Sequence, residues 1–340
     1  MKFRKLLLLL VACLAVQSTF AQEEKKKSSI LDYLPEFHGT IRPRYEIEPE
    51  TGEGRFQVRN ARVSLSGKVS IVDYYVQADF CDKGKIKMLD AYVRMTLNKH
   101  FKVQAGQFRM PFSVDATRAP HLIYFANRSF IGKQIGNFRG VGMKVVYSMN
   151  KLPFNIETGV FNTTAIGDHN VWRKEMAYSG KANYKFDNVK VEIGMESIVP
   201  DSIRINNHDI SINWTSGRWM VEGEYVYKHY TNSDFDACHA YYVMTDYKLS
   251  LKKGFFNQLS FQARWDAMTD HSDGSRNGDG LLYVTDQDRK RITVGATLSH
   301  IVPKLKTDLR LNYEKYFYHE GAVVKSGDRD KLVLELVLRF

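Results

Sequence analysis

The sequence predicts an all-β protein: a 16-stranded antiparallel transmembrane β-barrel with short periplasmic turns, longer extracellular loops and a third loop folded inward. Three observations carry that expectation. Apolar and polar residues alternate with period two in segment after segment, no amphipathic helix of any length interrupts them, and the links between segments take turns between short and long. Period two gives a strand one apolar and one polar face. Such strands joined by turns of unequal length are the pattern of a barrel that crosses an outer membrane.

At the N-terminus, Lys2, Arg4 and Lys5 precede an apolar run from Leu6 to Val16, and Thr19 and Ala21 are the small residues of a cleavage site. Residues 1–21 therefore read as a secretory signal peptide, its core too short to span a bilayer. Leu10-Val11-Ala12-Cys13 offers a lipoprotein box, but the apolar run continues past Cys13. Residues 22–36 form a polar lead-in, with lysines at 25, 26 and 27, and the barrel is expected over residues 37–340.

Loss of residues 1–21 removes three basic groups and no acid, lowering the formal net charge from +11 to +8. A basic exported chain is matched to anionic surfaces or anionic small molecules, and nucleic acid is not expected as a partner. Cys81 and Cys238 are far apart and belong to no CxxC or Cys/His pattern, so neither a disulfide nor zinc is expected.

The strands follow in order. Phe37, Gly39, Ile41, Tyr45 and Ile47 alternate with His38, Thr40, Arg42, Arg44 and Glu46. In the second strand the apolar parity switches from Phe56 and Val58 to Val63 and Leu65, which calls for a bulge near Asn60-Ala61 and turns Arg59 and Arg62 to the same side. Tyr74, Val76, Ala78 and Phe80 form the next apolar face, and Leu89 to Leu97 and Leu259 to Ala267 repeat the pattern. The last segment, Asp330 to Phe340, places Leu332, Leu334, Leu336, Leu338 and Phe340 on one face, an ending that resembles the assembly signal of outer-membrane barrels. Short links fall near 70–72, 98–100, 149–152, 187–188, 215–217, 250–256 and 301–303. Longer ones fall near 49–54, 81–86, 113–139, 163–175, 199–203, 231–236, 269–288 and 320–329. A soluble β-sandwich or β-helix also alternates, but has no such order of links.

With the apolar face toward lipid, charge is expected to point inward. That places Arg42, Arg44, Arg59, Arg62, Arg94, Arg264 and Arg310 on the lumen wall with Glu46, Asp79 and Asp90. The third long link is the oddest stretch. Residues 106–142 carry Arg109, Arg118, Arg128, Lys133 and Arg139 against the single acid Asp115, with Phe108, Phe112, Tyr124, Phe125, Phe130 and Phe138 mixed in. An insertion this long in a compact fold is usually functional. The aromatics are expected to anchor it to the inner wall while its cations meet the solute path.

Several stretches resemble one family. Gly106-Gln107-Phe108-Arg109-Met110-Pro111-Phe112, Asn127-Arg128-Ser129, Arg139-Gly140-Val141-Gly142 and the early Arg59-Asn60-Ala61-Arg62-Val63-Ser64-Leu65-Ser66-Gly67 are similar to the phosphate-selective porins O and P. The resemblance implies a trimeric bacterial outer-membrane channel that passes phosphate or polyphosphate along arginines of the wall and basic residues of a constriction. On it, the anion pathway comprises Arg42, Arg59, Arg62, Arg94, Arg109, Arg118, Arg128, Lys133, Arg139 and Arg264. The chain departs from the family pattern at Asn127, where an acid is usual, at Gly140, and in having Lys133 as the loop's one lysine. These departures favour anion passage over phosphate selection.

Other functions are weaker fits. The histidines show no serine–acid arrangement, so no catalytic residues are assigned and no enzyme is expected. Residues 273–280, DGSRNGDG, lack the glutamate of a calcium loop, since Val284 takes its place. No cofactor or metal is expected. A general or sugar-type pore, with the loop's aromatics as a stacking track, and a binding or adhesion barrel remain as rival readings.

Overall fold

The computed structural model describes residues 34–82, 85–136, 139–149, 152–162, 172, 174–200 and 203–340. The expected signal peptide, the lead-in up to residue 33, most of the link at 163–175, and Phe138 lie outside the described residues.

Sixteen strands follow one another. The first eight are β1 (Glu36–Ile47), β2 (Gly54–Val69), β3 (Val72–Asp82), β4 (Lys85–Thr96), β5 (Phe101–Arg109), β6 (Arg139–Ser148), β7 (Phe154–Asn162) and β8 (Met176–Phe186). The rest are β9 (Val189–Ile198), β10 (Ile205–Ser216), β11 (Trp219–Tyr230), β12 (Cys238–Ser250), β13 (Gln258–Met268), β14 (Arg289–Val302), β15 (Leu305–Tyr318) and β16 (Lys331–Arg339). Each pairs with its sequence neighbours, and β1 also pairs with β16, so the sheet closes without an edge.

The two faces sort as the alternation requires. On β16, Leu332, Leu334 and Leu336 are exposed outward, whereas Val333, Glu335 and Val337 are buried toward the lumen. Aromatic pairs ring both ends of the outer wall. Phe101 meets Tyr147 and Trp219 meets Tyr247 near the short links; Tyr45 meets Phe56 and Trp265 meets Phe317 near the long ones. Such belts mark the two membrane interfaces. Inward-facing charges pair across neighbouring strands, as in Arg42–Glu335 (2.7 Å), Arg62–Asp79 (2.8 Å) and Lys144–Glu157 (2.7 Å).

The parity switch on β2 is a bulge. Arg42 faces Asn60 but Pro43 faces Val58, leaving Arg59 as the extra residue. Pro43, with no N–H for the ladder, stands opposite the irregularity. The outward face passes from Phe56 and Val58 to Ala61, Val63 and Leu65, and both Arg59 and Arg62 reach the lumen.

The links need one correction. Their ends alternate as expected, but their lengths do not strictly do so. β3 and β4 are joined by residues 83–84 alone, not by a loop at 81–86, because both strands run on until Asp82 pairs with Lys85. The link between β12 and β13, residues 251–257, is longer than that between β1 and β2, residues 48–53. Cys81 and Cys238, on opposite sides of the ring, are both free thiols.

At the seam, Gly39 N–H donates to Phe340 O (2.8 Å) and Phe340 N–H returns to Gly39 O (3.2 Å). The Phe340 ring lies directly over the glycine, where an added Cβ would come within 2.2 Å of it. Gly39→Val should therefore displace this ring and cost about 1–3 kcal/mol of barrel stability. The check is the denaturant midpoint of the folded, heat-modifiable band, and an unchanged midpoint would mean that the ring moves aside freely.

Candidate functional site

The chain between β5 and β6 folds into the lumen. It starts sharply, because Ser113 takes a positive φ of 58° and its hydroxyl caps Ala116 N–H (3.2 Å), opening a one-turn helix, α1 (Val114–Thr117). Two neighbours on the wall receive this turn: Ser179 of β8 donates to Pro111 O (2.9 Å), and Glu224 of β11 accepts from Val114 N–H (3.0 Å). Asp115 then closes the loop on itself by accepting from Ser129 N–H (2.9 Å) and Ser129 Oγ (2.7 Å). Gly132 must be glycine here, since a Cβ would lie 2.3 Å from the Asp115 carboxylate.

Apolar anchoring and arginine donors carry the loop across the lumen. Phe112, Phe125, Phe130, Ile131 and Ile135 are buried against Met220, Val226, Tyr242, Met244 and Met268 of β11–β13. Arg264 stacks on Phe125 (4.7 Å) and Arg291 on Phe130 (4.6 Å). Beyond the aromatics, backbone groups of the loop meet the far wall. Ala126 N–H donates to Asn312 (2.7 Å), Phe130 N–H to Asp266 (3.1 Å), and Arg42 Nη2 donates to Ala126 O (2.7 Å). Arg291 donates to Arg128 O (2.7 Å) and Arg264 to Asn127 O (3.1 Å). At the outer tip, Lys133 pairs with Asp328 (2.9 Å).

The loop thus packs on the β11–β15 side and leaves a cavity of about 660 Å³ lined mainly by β1–β6, with residues of β7–β9 and β14–β16 completing it. Its lining contains nine arginines and three lysines but only two acids, Glu46 and Asp79, so the surface it presents is predominantly basic. Seven of the ten residues picked from the sequence line it: Arg42, Arg59, Arg62, Arg109, Arg128, Lys133 and Arg139. Three do not. Arg94 pairs with Asp73 (3.1 Å) near the short-link end, Arg118 reaches Glu222 on the opposite wall, and Arg264 lies beneath the loop. Arg44, Arg55, Lys87, Arg291 and Lys331 also line the cavity. Alternation marks them: Arg291 and Lys331 share strand parity with inward residues, opposite Ile292 and Leu332.

The cavity's cations are not equivalent. Arg139 pairs with Asp90 (3.0 Å) and Arg44 with Glu46 (2.8 Å). Arg109 has no carboxylate partner among the described residues; its guanidinium donates to Ala116 O and to Arg118 O (2.8 Å). Arg128 donates to Asp115 O and Arg118 O. Arg59 makes no hydrogen bond or ion pair to a described residue. Among the described residues, no group of three or more His, Cys, Asp or Glu side chains is placed to hold a metal ion.

Asp115 is the loop's internal hub. Burial works against its charged form, but Arg128, Arg118 and Arg264 outweigh it and hold the carboxyl below the usual aspartate range. The stability it contributes is therefore present at neutral pH and is lost as pH falls through the depressed value. Asp115→Ala should leave its arginines uncompensated and cost the loop about 3–5 kcal/mol. Single-channel recording checks this, with larger and noisier conductance expected; a steady trace of unchanged size would mean that the aromatic anchors suffice.

No curated protein sequence matches the chain. Solved structures share its fold at low identity. An anion-selective porin from Comamonas acidovorans is 10% identical with a TM-score of 0.62, over 90% of this chain and 98% of that one. The outer membrane channel DcaP of Acinetobacter baumannii is 13% identical with a TM-score of 0.63, over 93% and 100%. Salmonella typhi OmpF, in complex with daunomycin, is 11% identical with a TM-score of 0.63, over 92% and 99%. Residues 45–196, from the last residues of β1 almost to the end of β9, match the model of phosphate-selective porin O and P, the family the sequence resembles, and with the closed barrel around them they mark the protein as an outer-membrane channel.

Proposed function

We propose that this channel passes small anions, oxyanions of the phosphate type among them, through the gap between the inner loop and the β1–β6 wall. In this reading the chain is exported behind a cleaved signal peptide and works as a homotrimer. The observation that carries it is the cavity lining, twelve cations against two acids. Guanidinium groups replace part of an oxyanion's lost hydration with paired N–H donors, and a ring of them suits an anion pore. Arg62, Arg109, Arg128 and Arg139 lie close enough to act on one another electrostatically and form one basic zone of this path. The sugar-pore reading loses its main support. Phe112, Phe125 and Phe130, at 0–1% exposure, face β11–β15 and offer no stacking track to the cavity.

Arg128 and Arg109 both line the path and hold the loop, so their removal changes shape as well as charge. Arg59 separates the two roles, because it stands free on the bulge. Arg59→Glu should reduce the anion-over-cation permeability ratio by several-fold while leaving the folded band unchanged, measured as the reversal potential in a potassium chloride gradient.

Cys81 lines the cavity and Cys238 is buried, which supplies a native probe of the field. An anionic methanethiosulfonate should modify Cys81 roughly tenfold faster than its cationic analogue, since a one-sign cleft concentrates counter-ions by at least that order. Equal rates, together with cation preference in the reversal potential, would overturn the anion reading.

A further inference from the structure

The phenylalanines of the inner loop face away from the cavity, but a second aromatic strip lies on the barrel wall itself. Register places Tyr75, Tyr92, Gly106, Gly142, Phe161 and Ala177 in one row across β3–β8. They share strand parity with the paired inward charges Asp73, Asp90, Lys144 and Glu157, so the row looks into the lumen. Where it crosses β5 and β6 the row has only glycines, and rings from either side close over the gap. Tyr75 stacks on Tyr92 (5.4 Å between ring centres), Tyr92 meets Phe108 edge-on (5.8 Å), and Phe108 meets Phe161 (5.4 Å). The Phe161 ring takes the space left at Gly142, where a Cβ would come within 2.7 Å of it.

At its long-link end the strip joins the cavity. Phe108 and Phe161 pack with Met110, Ala177 and Ile198 in one apolar cluster, with Tyr92 against its edge. Met110, Ala177 and Ile198 in turn line the cavity. Toward the short-link end Tyr75 and Tyr92 are only half-buried. Charge along the strip is neutralised locally. Lys144 Nζ lies 5.4 Å from the centre of the Phe108 ring, and the acids beside the strip are held by cations, Asp73 by Arg94, Asp90 by Arg139 and Glu157 by Lys144. One side of the path therefore offers guanidinium donors, and the neighbouring side offers apolar surface. A hydrated inorganic ion gains nothing from the second. An anion with a hydrocarbon body gains from both, because covering apolar surface is favourable in itself.

We propose that the preferred solutes are amphiphilic organic anions, an oxyanion head on an aromatic or branched aliphatic body. The head follows the arginines of β2 and of the inner loop, while the body follows the strip from Ile198 to Tyr75. This assignment rests on the anion reading above and adds the body of the solute to it.

The test uses the folded full-length channel in planar bilayers, with benzenesulfonate and methanesulfonate as probes. Both stay charged at any working pH and differ only in the body. Benzenesulfonate should halve the single-channel chloride current at a concentration about fivefold below that of methanesulfonate, the size of one aromatic contact. Reversal potentials with chloride on one side and benzenesulfonate on the other should show it carried through; block without passage would overturn the proposal. Tyr92→Ser and Ile198→Asn should each raise the half-blocking concentration of benzenesulfonate toward that of methanesulfonate, and no change in folded variants would overturn the assignment to the strip. Equal values for the two probes in a wild-type channel that prefers chloride to potassium would overturn this proposal and leave the anion reading standing, whether or not the variants fold. A preference for potassium would overturn both.

Discussion

The structure depends on guanidinium groups ending on backbone carbonyls. A loop laid across a lumen has neither a ladder nor bulk water for its peptide groups, and bare polar backbone in a confined space is costly. Here arginines supply the donors: Arg109 and Arg128 close on the α1 turn, Arg42 on Ala126, Arg264 on Asn127, and Arg291 on Arg128. The same side chains carry the positive field of the cavity. Shape and charge of the passage are consequently one property, and a change to either moves the other.

The lumen is divided into unlike halves. Toward β11–β13 and β15 it is filled like a soluble core, with phenylalanines of the loop buried against methionines of the wall. Toward β1–β6 it is open and basic. Most arginines on that side carry a neighbouring acid, such as Asp79 for Arg62 or Asp90 for Arg139. This pairing tempers the field. A channel needs its solute held weakly enough to leave again, and partial neutralisation is one way for a wall of arginines to meet that need.

Strand number, closure and the inward loop could be read from the sequence because a lipid-facing wall enforces strict alternation, and the bulge at Arg59 shows in the parity switch between Val58 and Val63. Lumen-facing arginines could be read the same way. What alternation does not encode is where around the ring an inward residue lands, or how far the loop reaches. Arg264 has the right parity but lies under the loop, and Arg118 belongs to the loop but turns to Glu222 on the opposite wall. Link lengths failed for a related reason: the β3–β4 hairpin stays paired up to Asp82 and Lys85, and nothing in the composition of residues 81–86 distinguishes paired backbone from free.

The seam between β1 and β16 has a consequence for the order of assembly. Fifteen strands in sequence leave two unpaired edges at opposite ends of the sheet, and each is a template for pairing with another chain. Only the strand Lys331–Arg339 satisfies both edges at once. Until that strand is in place the two edges stay open, and closing the ring removes both templates in a single pairing event.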